Sequence, residues 1–201
     1  MQDSQFGLIS IIMAAYNAEQ TLGQAVTSVL NQTYPNFELL IIDDCSKDNT
    51  LAIAEKFREN DKRVRVIQNM QNSGVSYTRR HGLEEAKGEW IAILDSDDAW
   101  ASDKLEKQIK LQKETGGDLL YTGSAFMGSK GDPINWYLSA PPQIGYRKLL
   151  KQNLISNSSA LVRKELYEKY YVSGDNMHED FAVWLGILKS GKFAYLSLIH
   201  I

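Results

Sequence analysis

The sequence alternates short apolar segments with segments in which apolar residues recur at helical spacing. Residues 8–14 form an apolar run with β-branched residues and no charge, which is typical of a strand buried on both faces. In 18–31 the apolar positions fall at i, i+3, i+4, i+7 and i+8, as in an amphipathic helix. The alternation continues with predicted strands at 37–42, 63–68 and 90–95, and with predicted helices after Asp48 and at 73–87. This order predicts a mostly parallel sheet with helices on both faces.

The second half of the sequence is less regular. Residues 123–145 contain three of the four prolines, and we interpret them as a hairpin and loop. We expect Gly88 to close the third helix and Ser102 to cap the fourth. Further strands are predicted at 118–121, 159–162 and 193–196, and further helices at 102–115, 164–169 and 180–190. The sequence stops directly after an apolar strand, so we expect that a longer protein has been cut here or that the chain ends in a short tail.

Composition limits the classes of partner. The formal charge of -3 and the pI near 5.7 provide no basic field for a polyanion, so nucleic acid is not an expected partner. The lone Cys45 excludes an internal disulfide and a cysteine-rich zinc site. We find no signal peptide and no apolar run of about 20 residues, so we expect a soluble, cytoplasmic chain. The phosphate-binding patterns G-x-G-x-x-G and G-x-x-x-x-G-K-[ST] do not occur.

Carboxylates follow the fourth predicted strand in the segment ILDSDDAW, residues 93–100. Asp95, Asp97 and Asp98 repel one another unless a cation lies among them, and a metal ion is the simplest candidate. The alternative is a solvated turn that caps the following helix. The first two strands also run into polar residues, so the carboxyl ends of three strands bring polar groups to one edge of the sheet. Ligands of open parallel sheets bind at this edge.

A hard divalent cation with few protein ligands completes its shell with phosphate oxygens and water, so a diphosphate is the expected ligand. Arg79, on the third predicted helix, could neutralise that ligand or bind its base. The alternative is a solvent-facing arginine. Because Arg80 is its neighbour, at most one of the two is expected to point inward.

Three stretches of the sequence together resemble family 2 of the inverting glycosyltransferases. They are residues 9–50, which include IIMAAYN and IIDDCSKDNT; residues 72–100, which include NSGVSYTRRHG and ILDSDDAW; and residues 178–191, HEDFAVWLGILKSG. The resemblance implies a single α/β domain of GT-A (Rossmann-like) fold over residues 1–201, a mostly parallel sheet flanked by helices. Residues 1–100 would be the nucleotide-sugar-binding half, and residues 101–201 a smaller, irregular acceptor-side half.

The resemblance also implies roles for the residues at the ends of the first two strands. Tyr16 would stack against the nucleobase or line its pocket, and Asp44 would accept a hydrogen bond from the base. Four further residues would surround Tyr16: Ala14, Ala15, Asn17 and Glu19.

For the remaining site residues, the resemblance implies that Asp95 and Ser96 face the ribose and sugar. Asp97 would hold Mg²⁺ or Mn²⁺ against the diphosphate. Asp180 would be the base that removes the acceptor proton, with Glu179 directed toward the acceptor or the helix start. The alternative for the last two is that they only complement the N-terminus of the following helix.

The leading functional hypothesis is transfer of a sugar from a nucleoside diphosphate sugar, most simply UDP-linked, to a hydroxyl of a glycan or lipid-linked acceptor. Association with the inner face of a membrane, through partners or segments outside this sequence, is a further hypothesis. One alternative is a nucleotide-sugar or glycan binding module that has lost catalysis; the presence of Asp97 and Asp180 argues against it. Another is a nucleotidyltransferase, but MAAYNAEQT lacks the glycine-rich basic loop expected there.

Overall fold

The structure is a computed structural model that describes residues 6–128, 133–138, 140–172, 174 and 178–200. Its strands are β1 (Ile9–Ala15), β2 (Phe37–Asp43), β3 (Val64–Gln68), β4 (Trp90–Ile93), β5 (Leu119–Met127), β6 (Pro133–Leu138), β7 (Gln143–Ile144), β8 (Leu161–Arg163) and β9 (Ala194–His200). Its helices are α1 (Leu22–Leu30), α2 (Thr50–Asn60), α3 (Val75–Glu85), α4 (Lys104–Thr115), α5 (Tyr146–Leu149), α6 (Lys164–Tyr170) and α7 (Glu179–Lys189).

The strands form one sheet in the order β3-β2-β1-β4-β8-β5-β9-β7, with β6 paired to β5 beside this path. β1 to β4 are parallel, as the β-α alternation predicts. β8 lies antiparallel between β4 and β5, which the sequence pattern did not indicate. β5 and β6 form the antiparallel hairpin expected within 123–145.

Helices cover both faces of the sheet. Successive residues of a strand point to opposite sides, so each strand contributes apolar side chains to both faces. Ile11 and Met13 of β1 pack with α1, α2 and α4 on one face, whereas Ile12 belongs to the cluster that contains Leu83 of α3 and Trp184 of α7. All these side chains except Leu83 are fully buried, and Leu83 is 4% exposed. The parallel half of the sheet is therefore rigid, and its strand ends are fixed relative to one another.

Two residues that the sequence predicts to cap helices do not cap them. Gly88 does not close α3, which ends at Glu85; a Cβ at Gly88 would lie 2.5 Å from the Leu8 carbonyl oxygen, so glycine is needed there for close approach to β1. Ser102 does not cap α4, whose N-cap position is Asp103 without a side-chain cap bond. The local sequence pattern pointed to these two residues but could not show their tertiary surroundings.

In the part of the chain that the structure describes, no helix is long and apolar enough to cross a membrane.

Candidate active site at the carboxyl ends of the parallel strands

A cavity of about 510 Å³ lies at the carboxyl ends of β1, β2 and β4. Nine of the twelve predicted site residues line it: Ala14, Ala15, Tyr16, Asn17, Asp44, Arg79, Asp95, Ser96 and Asp97. Asn72, Gly74, Val75 and Thr78 also line it and were not predicted. Asn72 and Gly74 follow β3, so the argument from strand ends would have identified them had it included the third strand.

Three predicted residues lie elsewhere. Glu19, Glu179 and Asp180 are not among the described residues that line this cavity. The Glu19 carboxylate accepts hydrogen bonds from the backbone N–H (3.0 Å) and side-chain amide (2.9 Å) of Asn49, and so ties the β1–α1 loop to the start of α2. Glu179 lines a second cavity of about 430 Å³, whose wall shares Asn72, Gly74 and Val75 with the first.

The loops after β1 and β2 hold each other in place. Asn17 adopts a left-handed backbone conformation (φ 49°), which asparagine tolerates better than most residues. Its N–H donates to Ser46 Oγ (3.0 Å), and its Oδ1 accepts from the Lys47 N–H (2.8 Å). The adjacent Tyr16 is 44% exposed and lines the cavity. The hydrogen bonds between the two loops therefore fix the backbone beside Tyr16, and the exposed ring of Tyr16 can contact a ligand.

Asp44 is 3% exposed, and its carboxylate is already hydrogen-bonded within the protein. Oδ1 accepts from Asn69 Nδ2 (2.8 Å) and the Ser73 N–H (3.0 Å), and Oδ2 accepts from the Gly74 N–H (2.9 Å). Gly74, at the N-cap position, has a positive φ of 84° that is not helical, so α3 begins at Val75, two residues later than predicted. Asp44 therefore anchors the loop from β3 to α3, and the predicted bond to a base would be additional.

The carboxylates after β4 have a cationic neighbour in the protein itself. Arg79 Nη2 donates to Asp95 Oδ1 at 2.6 Å, and Nη1 is paired with Glu179. Burial lowers the pKa of the Arg79 guanidinium, but the carboxylates of Asp95 and Glu179 outweigh burial and raise this pKa above its usual value. Asp98 is part-buried; burial, with the nearby charges of Asp95 and Asp97, raises its pKa. Negative charge thus remains in excess at this strand end.

This arrangement fits a divalent cation held mainly by its ligand. In the described ranges, no group of three or more His, Cys, Asp or Glu side chains converges to form a metal cage. Asp97 is exposed in the cavity wall, and Asp95 already bonds to Arg79. Mg²⁺ is commonly bound through one or two carboxylates together with phosphate oxygens and water. Asp97 is therefore the carboxylate available to a metal that a diphosphate brings with it.

Asp180 lies in the first turn of α7, where its Oδ1 accepts the N–H of Phe181 at 2.7 Å. Burial raises the pKa of its carboxyl group, and the negative charge of Glu179 adds to this, whereas the Phe181 bond and the positive charge of Arg79 act in the opposite direction. A raised pKa brings an aspartate closer to the range in which a base accepts a proton readily at neutral pH.

Comparison with known proteins agrees with this geometry. Residues 10–171 match the Glycosyl transferase family 2 model. The putative teichuronic acid biosynthesis glycosyltransferase TuaG of Bacillus subtilis is 36% identical over 188 residues, which cover 94% of this chain and 75% of TuaG. The UDP-Glc:alpha-D-GlcNAc-diphosphoundecaprenol beta-1,3-glucosyltransferase WfgD of Escherichia coli is 36% identical over 191 residues, 94% of this chain and 73% of WfgD.

Among solved structures, S. aureus TarS 1-349 in complex with UDP-GlcNAc matches with a TM-score of 0.78 and 25% identity over 95% of this chain. The mannosyltransferase PcManGT of Pyrobaculum calidifontis, in complex with GDP-Man and Mn2+, matches in fold with a TM-score of 0.74 and 17% identity over 97% of this chain. The chain spans about 55% of the TarS chain and 56% of the PcManGT chain.

The sheet topology and the solved structures that match it define a GT-A fold. Within that class, the chain belongs to glycosyl transferase family 2.

Proposed function

We propose that this chain is an inverting glycosyltransferase that moves a sugar from a UDP-linked donor to a hydroxyl of a glycan or lipid-linked acceptor in cell-surface polysaccharide synthesis. The observation that carries the proposal is the cavity that brings Tyr16, Asp95, Ser96 and Asp97 together at one edge of the sheet. UDP as the carrier is supported by TarS, which was solved with UDP-GlcNAc, and by WfgD, whose name specifies UDP-Glc.

In this proposal the donor lies across the strand ends. The exposed ring of Tyr16 stacks on the base, and Ala14 and Ala15 leave room for its close approach because their side chains are small. Asp95 and Ser96 hydrogen-bond the ribose and sugar, and Asp97 contacts the diphosphate side. Mg²⁺ or Mn²⁺ would be held by Asp97 and the phosphate oxygens, and it would offset the charge that develops on the leaving diphosphate.

Asp180 is the general base of the proposed reaction. The acceptor hydroxyl loses its proton to the Asp180 carboxylate while the acceptor oxygen forms a bond to the anomeric carbon. The bond from that carbon to the diphosphate breaks, and the nucleoside diphosphate leaves with the electron pair. Inversion follows because the acceptor attacks the face opposite the leaving group. The raised pKa of Asp180 supports this role because it strengthens the carboxylate as a base.

The acceptor side and the location in the cell are further parts of the proposal. Residues 1–100 form the donor-binding half, and residues 101–201 supply the acceptor side. A diphosphoundecaprenol-linked sugar is named as the acceptor of WfgD, which supports a lipid-linked acceptor here. Such an acceptor would place the enzyme in the cytoplasm against the inner face of the membrane.

Donor hydrolysis tests the proposal without knowledge of the acceptor. UDP-, GDP- and ADP-sugars are incubated with the chain in Mn²⁺ and in EDTA, and the released nucleoside diphosphate is measured. We expect release from a UDP-sugar only with metal, and UDP to bind more tightly than ADP or GDP. The anomeric configuration of the product, read by NMR, tests inversion. Tight UDP binding without turnover of any donor or acceptor would instead indicate a binding module.

A further inference from the structure

Arg79 is a buried arginine on α3 that contacts two distant parts of the chain. It is 8% exposed. Its Nη2 donates to Asp95, which follows β4, and its Nη1 is paired with Glu179, 100 positions further along the sequence at the start of α7. With the side-chain amide of Asn157 turned so that its oxygen faces the guanidinium, that oxygen accepts from Nε (3.2 Å) and Nη2 (3.1 Å). Every nitrogen of the guanidinium therefore has a protein partner.

These partners argue against the role expected for Arg79 from its position in the sequence. An arginine that neutralises a diphosphate must direct its N–H groups at the ligand, and here those groups are directed at two carboxylates and an amide. The two carboxylates share one cation, so the cluster of Arg79, Asp95 and Glu179 keeps a net negative charge. That charge disfavours a phosphate in direct contact with the cluster.

We propose that Arg79 is a positioning residue that links the donor-binding strand end to the first turn of α7. Asp95 lies on the donor side, and Glu179 immediately precedes Asp180 in that turn. A planar guanidinium can hold both carboxylates at fixed angles, which a single ammonium group cannot do. Arg79 therefore sets the position of the Asp180 carboxylate relative to the donor. This inference rests on the proposed function only where it assigns catalysis to Asp180.

The fold has other contacts that keep these helices together without Arg79. The Tyr171 hydroxyl donates to the Ser76 carbonyl oxygen at 2.5 Å and so joins the end of α6 to α3. α7 also packs through the fully buried Trp184 and Val183 in the same cluster as Leu83 of α3. A conservative substitution of Arg79 is therefore expected to leave the fold intact and to change the position of the α7 start.

The test is Arg79→Lys, with Arg80→Lys as the matched control on the same helix. Lysine keeps the positive charge but cannot bridge three partners. We expect kcat to fall about 10²-fold, as for a small misplacement of a reacting group, and this fall to exceed the change in the Kd for UDP with Mn²⁺. The Arg80 side chain is half exposed, and its variant should resemble the wild type. An unchanged kcat in Arg79→Lys, or weaker UDP binding at unchanged kcat, would overturn the inference.

A double variant examines whether Arg79 acts through Glu179. Glu179→Gln keeps an oxygen that can accept from Nη1 but removes the charge, so kcat should fall less than in Arg79→Lys. The variant with both substitutions should be no slower than Arg79→Lys alone, because both changes remove the same link. Losses that multiply in the double variant would show that the two residues act independently, and would refute the proposed link.

Hydrogen exchange separates this inference from the proposed function. In Arg79→Lys, the Ala182 amide, which bonds to the His178 carbonyl oxygen at the start of α7, should exchange at least about tenfold faster than in the wild type, while the amides of β1 and β4 keep their protection. Unchanged exchange at the α7 start would overturn the positioning role whatever the activity. Failure of the wild type to transfer or hydrolyse any sugar nucleotide would refute the proposed function and leave this measurement to decide the role of Arg79.

Discussion

Replacement of Asp44 by alanine should destabilise the protein before it reveals anything about base recognition. The carboxylate is 3% exposed and holds the segment from β3 to α3 through Asn69, Ser73 and Gly74. In Asp44→Ala the side-chain amide of Asn69, itself 5% exposed, loses this acceptor and keeps a 3.0 Å bond to Thr78 Oγ1. The two backbone amides also lose their acceptor, although they lie near enough to the surface for water to replace it in part.

The size of the effect follows from these three bonds. A hydrogen bond to a charged group contributes roughly 1.5–3 kcal/mol, and we assign that to the Asn69 bond and about half of it to each solvated amide. Relief from burying the Asp44 charge offsets part of the sum, which leaves a loss of about 3 kcal/mol. For a chain of this size each kcal/mol lowers the Tm by about 2–4 °C, so the Tm should fall by about 6–12 °C.

Thermal unfolding followed by circular dichroism measures this change, with Asp97→Ala as the control. Asp97 is an exposed carboxylate in the same cavity wall, so its variant should melt within about 2 °C of the wild type. The UDP affinity of Asp44→Ala should be measured well below its Tm, where its folded fraction is near one. An Asp44→Ala protein that melts with the wild type would refute the anchoring role.

Three further predictions concern the proposed chemistry. Asp180→Asn keeps the oxygen that accepts the Phe181 N–H, so the fold and UDP binding should persist while transfer falls by roughly 10²–10⁴-fold; near wild-type transfer would reduce Asp180 to a helix-terminus residue. Because burial raises the Asp180 pKa, kcat of the wild type should decline with falling pH at a higher pH than an ordinary aspartate near about 3.9 would give. Asp97→Ala should abolish the Mn²⁺-dependent part of UDP binding in titration calorimetry; the same affinity as wild type in Mn²⁺ would exclude Asp97 as the metal ligand.

The sequence alone was sufficient to predict the parallel half of the fold. β1 and β2 are uncharged along most of their length and buried except at Ala14, and Leu22, Val26 and Val29 of α1 are fully buried. Such patterns depend on neighbours a few positions away, so they can be recognised without knowledge of the rest of the chain. The strand-end argument then located the cavity, because parallel strands place their carboxyl ends at one edge.

The sequence did not predict where individual side chains direct their hydrogen bonds. The carboxylates after β4 were interpreted as needing a cation, and a metal was the first candidate. In the structure the positively charged Arg79 forms a salt bridge with Asp95, while Asp97 stays exposed. Which charged residues pair with one another depends on the segments that the crossover connections and the inserted strand β8 bring together. Local periodicity carries no information about these long-range contacts.

The sequence by itself thus determined the order of the elements, the apolar faces and the edge of the sheet where polar residues collect. The tertiary structure decided that Asp44 anchors a loop, that Gly88 permits close approach to β1, and that Arg79 joins Asp95 to Glu179, which lies 100 positions after Arg79 in the sequence. The physical reason is the range of the interactions. Burial patterns are set residue by residue along a helix or strand, whereas a buried charge is satisfied only by partners that distant segments deliver to it.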